Sequence, residues 1–282
     1  MKIAKIHSLG NDFLIIDEKV SGQLEERGSF ARKICERHTG VGADGMLLIH
    51  IEDKKKSIVH FRVFNADGTE AELSGNGLRC AAAYLYYNEK IETPHIIFNT
   101  PVGKRDCELI RRDNNLFEIK IEMGVPHLSS KDIPFDDGSV HETIIDYPLT
   151  IQGKVYPVTL VNLGNPHCAI FIDRFPARIE WHQIGREIEL HPFFANRINV
   201  EFIRVMNREE IEVFFWERGV GETLSSGSGS CAAAVASILK GLTDKKVAVR
   251  TTMGNLIVEW EKDSVYQIGP SQIIFHGEYL SA

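Results

Sequence analysis

The residues best placed to do chemistry come in two matched runs. Ser74-Gly75-Asn76-Gly77 leads to Cys80-Ala81-Ala82-Ala83. A little over half the chain later, Ser226-Gly227-Ser228-Gly229 leads to Cys231-Ala232-Ala233-Ala234. Each reads as a glycine-rich turn opening an alanine-rich helix. The first turn of a helix carries unsatisfied N–H groups and a partial positive charge, so it attracts anions. Glycine lets the backbone come close with no Cβ in the way. The amides of Gly75-Asn76 and Gly227-Ser228 would together grip a carboxylate or phosphate from two sides. Taken alone, a serine before glycine at a helix start is more often a plain N-cap than a reactive group.

Other polar residues recur in step with these runs. Leu9-Gly10-Asn11 leads into an apolar stretch ending at Asp17, and Leu163-Gly164-Asn165 into one ending at Asp173. Asn65 and Glu217 lie equally far ahead of their serines, and Thr100-Pro101-Val102-Gly103 and Thr251-Thr252-Met253-Gly254 follow the helices. Arg218 and His167 add a cation and an imidazole. Singly, the asparagines read as turn or strand-end residues, Arg218 as a surface ion-pair partner and His167 as structural. Their common order points to internal duplication, with a repeat long enough to be a whole domain.

The elements that must position these residues follow from periodicity. Runs 58–64, 116–121 and 211–215 alternate or are β-branched and aromatic, as strands are. Segments 78–90 and 230–240 read as helices apolar nearly all round, hence buried, and Gly241 suits the end of the second. Ser29 to Arg37 is a further predicted helix. The expected class is α+β, with two similar lobes, each with many strands around one buried helix. The boundary falls near Gly124-Val125-Pro126, giving lobes of 1–123 and 124–263, with 264–282 returning to the first through a strand near Gln272 to Phe275. A ligand would sit in the cleft between lobes.

Composition narrows the function. The 282 residues carry 43% hydrophobic and 25% charged residues and a net charge of −7, which suits a globular protein and argues against a nucleic-acid surface. No apolar stretch has the length of a membrane span and the N-terminus lacks a secretory h-region. The five scattered cysteines, with no Cys-x-x-Cys, argue against a disulfide framework or structural zinc and for a reducing, cytoplasmic setting. Gly40-Val41-Gly42-Ala43-Asp44-Gly45 matches G-x-G-x-x-G, but it follows a helix and precedes a strand, the reverse of the dinucleotide-binding order. Cys35 and His38, expected on one helix face, find no local partners for a metal.

With these residues in hand, the chain resembles the diaminopimelate epimerases. The resemblance rests on Leu9-Gly10-Asn11-Asp12-Phe13, Gly40-Val41-Gly42-Ala43-Asp44-Gly45, Phe64-Asn65-Ala66-Asp67-Gly68 with Glu70, Gly75-Asn76-Gly77 with Arg79-Cys80, Gly164-Asn165-Pro166-His167-Cys168, Asn199-Val200-Glu201-Phe202 and Glu217-Arg218-Gly219-Val220-Gly221-Glu222-Thr223-Leu224. It implies two pseudo-symmetric lobes, each a curved, mostly antiparallel sheet around a central helix. It also implies cofactor-independent interconversion of LL- and meso-diaminopimelate for lysine and cell-wall precursor synthesis, and a homodimer. The substrate would be held by Asn11, Asn65, Gly75, Asn76, Asn165, Asn199, Glu217, Arg218, Gly227 and Ser228, with no metal. One group removes the α-proton and another returns a proton to the opposite face.

In the family both of those groups are cysteines. Here the positions are Ser74 and Ser226, with His167 and Glu217 as the auxiliary residues beside them. A thiol has a pKa near 8.5 and can be poised as a base, whereas a serine hydroxyl needs another base to take its proton. Gly45 also stands where many members have a substrate-contacting glutamine. Three readings stay open: an epimerase whose thiols were replaced, by design or naturally; a divergent isomerase or lyase on a related amino acid; and a non-catalytic amino-acid-binding homologue.

Overall fold

The computed structural model describes residues 1–18 and 26–280. The chain divides into two compact units, Met1–Glu122 joined by the chain from Ile268 on, and Met123–Gln267. The first unit contains β1 (Lys2–Ser8), β2 (Asn11–Asp17), α1 (Arg27–Cys35), β3 (Gly45–Asp53), β4 (Ile58–Asn65), β5 (Glu70–Ala71), α2 (Gly75–Tyr87), β6 (His95–Thr100), β7 (Gly103–Asp113) and most of β8 (Leu116–Gly124). The second contains β9 (Tyr147–Ile151), β10 (Lys154–Asn162), β11 (Pro166–Phe171), α3 (Arg178–Glu189), β12 (Asn199–Asn207), β13 (Glu210–Glu217), β14 (Gly221–Thr223), α4 (Gly227–Leu239), β15 (Lys246–Thr251) and β16 (Gly254–Glu261). The chain then returns to the first unit along β17 (Ser264–Glu278). The class is α+β, with mixed pairing.

The pairings repeat. In the first unit β1–β2 is antiparallel, β2–β3 parallel across α1, β3–β4 antiparallel, β4–β6 parallel across α2, and β6–β7 antiparallel. In the second, β10–β11, β11–β12 across α3, β12–β13, β13–β15 across α4 and β15–β16 follow the same sequence of directions. A parallel pair needs a crossover, and the helices supply it. In the first unit β7 pairs β8, and β17 pairs both β8 and β1, so the strand circuit closes and leaves few bare edges.

The two alanine-rich helices differ from the expected bounds, and the difference matters. Both begin immediately after their serine, not three residues later. Ser74 and Ser226 have extended backbones, with φ of −141° and −130°, and each Oγ accepts the N–H three residues on. The glycines are therefore the first helical turn and not a preceding loop. At its other end α4 closes with Gly241 at φ +68°, where Gly241 N–H donates to Ile238 O and Leu242 N–H to Ser237 O. This is the paired closure that a left-handed residue allows. Glu89 closes α2 in the same way, onto Tyr86 and Leu85. From Gly229 to Ser237 every residue of α4 is buried, and α2 is buried from Gly75 to Ala83. Alanine on these helices lets strands approach closely: α2 packs on β1, β2, β3 and β7, and α4 on β10 to β13, β15 and β16.

Two more corrections concern helices. The first helix runs over Arg27–Cys35, not Ser29 to Arg37, because Val41 and Gly42 N–H both fold back onto Ile34 O and Gly40 N–H onto Glu36 O. His38 therefore lies outside it and shares no helix face with Cys35. The same bonds occupy the amides of the G-x-G-x-x-G segment, so it presents no anion cradle. Helix α3 was not foreseen, although Trp181, Ile184 and Ile188 bury one face at helical spacing.

Candidate active site

Each unit presents its own set of polar residues around its serine-capped helix. In the first, Ser74 Oγ accepts Gly77 N–H at 3.0 Å. Asn76, in the first turn, accepts from the Arg79 guanidinium through Oδ1 and donates through Nδ2 to Asn11 Oδ1 at 3.2 Å. Asn11 Nδ2 in turn donates to Asp44 Oδ2 at 3.0 Å. Arg79 is fully buried and its Nε donates to Ser8 Oγ at 2.9 Å. A buried guanidinium beneath a helix start adds to the positive potential there.

The base of this network is ionic. Arg37 bridges Asp44 at 2.7 Å and Asp12 at 3.1 Å, and Lys5 reaches Asp12 at 2.9 Å. Burial works against the Asp12 carboxylate, but its hydrogen bonds from Lys5, Arg37 and the Asp44 backbone outweigh that and hold it below the usual range. Asn65 stands apart from the Asn11–Asn76 chain. It is exposed at the end of β4 and its amide donates to Thr69 within the β4–β5 hairpin. Opposite it lies Gly45, where a Cβ would stand 2.7 Å from Phe64 O. Position 45 in this chain is packed for glycine, so a glutamine there would displace backbone.

In the second unit Ser226 Oγ accepts Gly229 N–H at 3.3 Å. His167 is buried at 1% exposure, with Nδ1 2.7 Å from Glu201 Oε1 and Nε2 2.9 Å from Asn165 Oδ1. Asn199 lies beside His167 in the parallel register and donates to Pro166 O, while its Oδ1 accepts Arg218 N–H at 3.0 Å. The Arg218 side chain donates to Asn196 O. Glu217 ends β13 opposite Gly221. The turn they enclose is tied down by Glu189, which accepts from Gly219 N–H and Trp216 Nε1 at 2.8 Å each. Gly75 and Gly227 start their helices, and Ser228, half-buried, stands where α2 has Asn76.

Glu201, Glu189 and Arg79 are buried or tethering groups whose roles emerge only in the fold. A signal existed for Glu201: a lone carboxylate inside the apolar run Val200 to Ile203, buried on both faces of the strand. Burial drives its pKa up, His167 opposes that, and the Glu217 charge adds to the rise.

These serines make caps: each hydroxyl oxygen accepts a backbone N–H from the first helical turn. No other thiol replaces the missing ones. All five cysteines are buried and none is in a disulfide. Burial pushes the Cys35 and Cys80 thiols up to about 12 and raises Cys107 and Cys168 as well. Among the described residues no cluster of His, Cys, Asp or Glu could hold a metal, and no helix is long and apolar enough to cross a membrane.

The chain is similar to known proteins over its full length. The diaminopimelate epimerase family model matches residues 3–129 and 159–274. Diaminopimelate epimerase of Pelotomaculum thermopropionicum is 41% identical over 283 residues, covering 99% of both chains. That of Moorella thermoacetica is 38% identical, again covering 99% of both. Among solved structures, a hydroxyproline epimerase from Agrobacterium vitis with bound trans-4-hydroxy-L-proline superposes with a TM-score of 0.68 at 14% identity, over 98% of this chain and 91% of its own. A PhzF-family phenazine biosynthesis protein from Bacillus anthracis gives 0.66 at 13%, over 100% and 99%. These two likenesses establish the fold.

Proposed function

This chain belongs to the diaminopimelate epimerase family, and from that premise we propose that its substrate is diaminopimelate and its chemistry the inversion of one α-carbon between the LL and meso forms, in lysine biosynthesis and without a cofactor. In this reading each unit is a lobe with its sheet curved around its serine-capped helix. Ser74 and Ser226 hold the two proton-handling positions, assisted by His167 and Glu217. Asn11, Asn65, Asn76, Asn165, Asn199, Glu217 and Arg218, with the amides at Gly75, Gly227 and Ser228, form the cradle. The buried thiols, none of them in a disulfide, fit a reducing cytoplasm, and the family pattern makes the protein a homodimer.

The observation that carries the proposal is the repeated helix start, a cap in each unit with open first-turn amides beside fixed polar side chains. Such a helix start suits an α-carboxylate that gains carbanion character. The serines lower the rate. A hydroxyl is far less acidic than a thiol, and positioned acid–base groups contribute about 10²–10⁴-fold. The test is α-deuterium uptake by LL-diaminopimelate in D₂O, followed by NMR. The S74C/S226C double variant gains about 100-fold or more over the present chain; a double variant with no exchange overturns the proposal. The engagement of each serine hydroxyl as a helix cap favours one second reading, a binding protein for the same ligand. Calorimetric binding of meso-diaminopimelate with no exchange, even after the cysteines are restored, would select it.

A further inference from the structure

Aligning the two units by strand pairing exposes a difference between them. Phe13 faces Gly45 across β2–β3 as His167 faces Asn199 across β11–β12. Two residues further along the receiving strand stand Leu47 and Glu201. The glycines of the helix starts confirm the match. A Cβ on Gly77 would meet Leu47, Phe61 and the Ser74 side chain, and one on Gly229 would meet Glu201, Phe215 and the Ser226 side chain. Beneath its helix start the first unit therefore packs an apolar Phe–Leu pair, where the second packs a histidine and a glutamate.

We propose that Glu201 is the positioning residue for His167, keeping Nδ1 protonated and the ring fixed, and so gives the half-site of Ser226 a buried acid–base pair that the half-site of Ser74 lacks. The Nδ1–Oε1 separation of 2.7 Å lies in the charge-assisted range. A carboxylate on one ring nitrogen decides which tautomer the other presents. Nε2 faces the Asn165 amide, which offers oxygen to a protonated Nε2 or, turned over, NH₂ to a bare one. Asn165 thus accommodates both states of Nε2 while Glu201 fixes Nδ1. Among the described residues Glu201 Oε2, which is buried, has no hydrogen-bond partner. His167 is then the principal compensation for this carboxylate, which ties the two residues together. The other groups that act on the pair are Glu217 on β13 and the Cys168 thiol on β11, and Gly229 in the first turn of α4 packs against both Glu201 Oε1 and the Ser226 side chain.

The role in turnover rests on the epimerase reading, while the positioning itself does not, and the test separates them. In ¹⁵N-labelled, ligand-free protein, long-range imidazole spectra report the His167 tautomer. Glu201→Gln keeps an acceptor, so the Nδ1 proton persists but moves upfield. Glu201→Leu, which copies the first unit, loses it. In the S74C/S226C background, Glu201→Leu lowers kcat by about 10- to 100-fold, the range for outer partners that orient a histidine, with KM changed less than about threefold. An unchanged His167 spectrum in Glu201→Leu overturns the proposal; if that variant does not fold, an unchanged spectrum in Glu201→Gln does so. An inactive S74C/S226C protein overturns the epimerase reading instead, and the imidazole spectrum still decides Glu201.

Discussion

Two glycines at equivalent places, Gly77 and Gly229, show how differently the two helix starts are packed. A Cβ at 229 would lie 2.9 Å from Glu201 Oε1, 2.9 Å from Phe215 Cδ1 and 3.0 Å from Ser226 Oγ, whereas one at 77 would find its neighbours at 3.2 to 3.3 Å. Alanine in place of a helical glycine gains up to about 1 kcal/mol from the backbone, and overpacking costs about 1–3 kcal/mol. Gly77→Ala is therefore expected to be near neutral, since Leu47 and the Phe61 ring edge can each give a few tenths of an ångström. Gly229→Ala is expected to lose about 2 kcal/mol in urea unfolding, because a methyl there presses on a carboxylate already committed to His167. Equal effects of the two substitutions would contradict the asymmetry drawn between the units.

At the scale of elements, the serines serve the helices better than cysteines would. Each Oγ accepts a first-turn N–H, the role for which serine is favoured. Sulfur is a weak acceptor, so Ser74→Cys and Ser226→Cys should each cost about 0.5–2 kcal/mol while raising turnover. Chemical denaturation of the single variants measures the first effect; a cysteine variant as stable as the parent would show that the caps carry little. Much of this was legible in the sequence. Serine, the glycines and the alanine runs announced two like helix starts, and the ordered landmarks announced the duplication. The helix bounds were not legible, since glycine-rich segments read as turns until a capping hydroxyl claims them. Helix α3 was missed although Trp181, Ile184 and Ile188 marked it. Glu201 and Arg79 were quoted within motifs but given no role, because the burial of a charge depends on what tertiary packing brings to it.

For the molecule as a whole, the two units should answer pH in opposite senses. Asp12, in the first, has its pKa held below the usual value by Lys5, Arg37 and the Asp44 N–H despite burial. Its contribution is fully present above the unfolded carboxylate value near 4 and is lost as pH falls through the lowered folded value. Glu201, in the second, has its pKa raised by burial. Its contribution is present below the unfolded value and is lost as pH rises through the raised one, so an ionised Glu201 is a standing cost at neutral pH. Asp12→Asn leaves Lys5 and Arg37 short of a buried partner and should cost about 2 kcal/mol at pH 7. The difference from the parent narrows below about pH 4. Glu201→Gln should instead reduce the loss of stability as pH rises above the ordinary carboxylate range. Amide hydrogen exchange reads the units separately, through α2 for the first and α4 for the second. Protection of α2 in the parent should fall on acidification and be blunted in Asp12→Asn, and protection of α4 should fall as pH rises and be blunted in Glu201→Gln. A common pH response of α2 and α4, unchanged by either substitution, would show that these buried charges do not govern the stability of their own units.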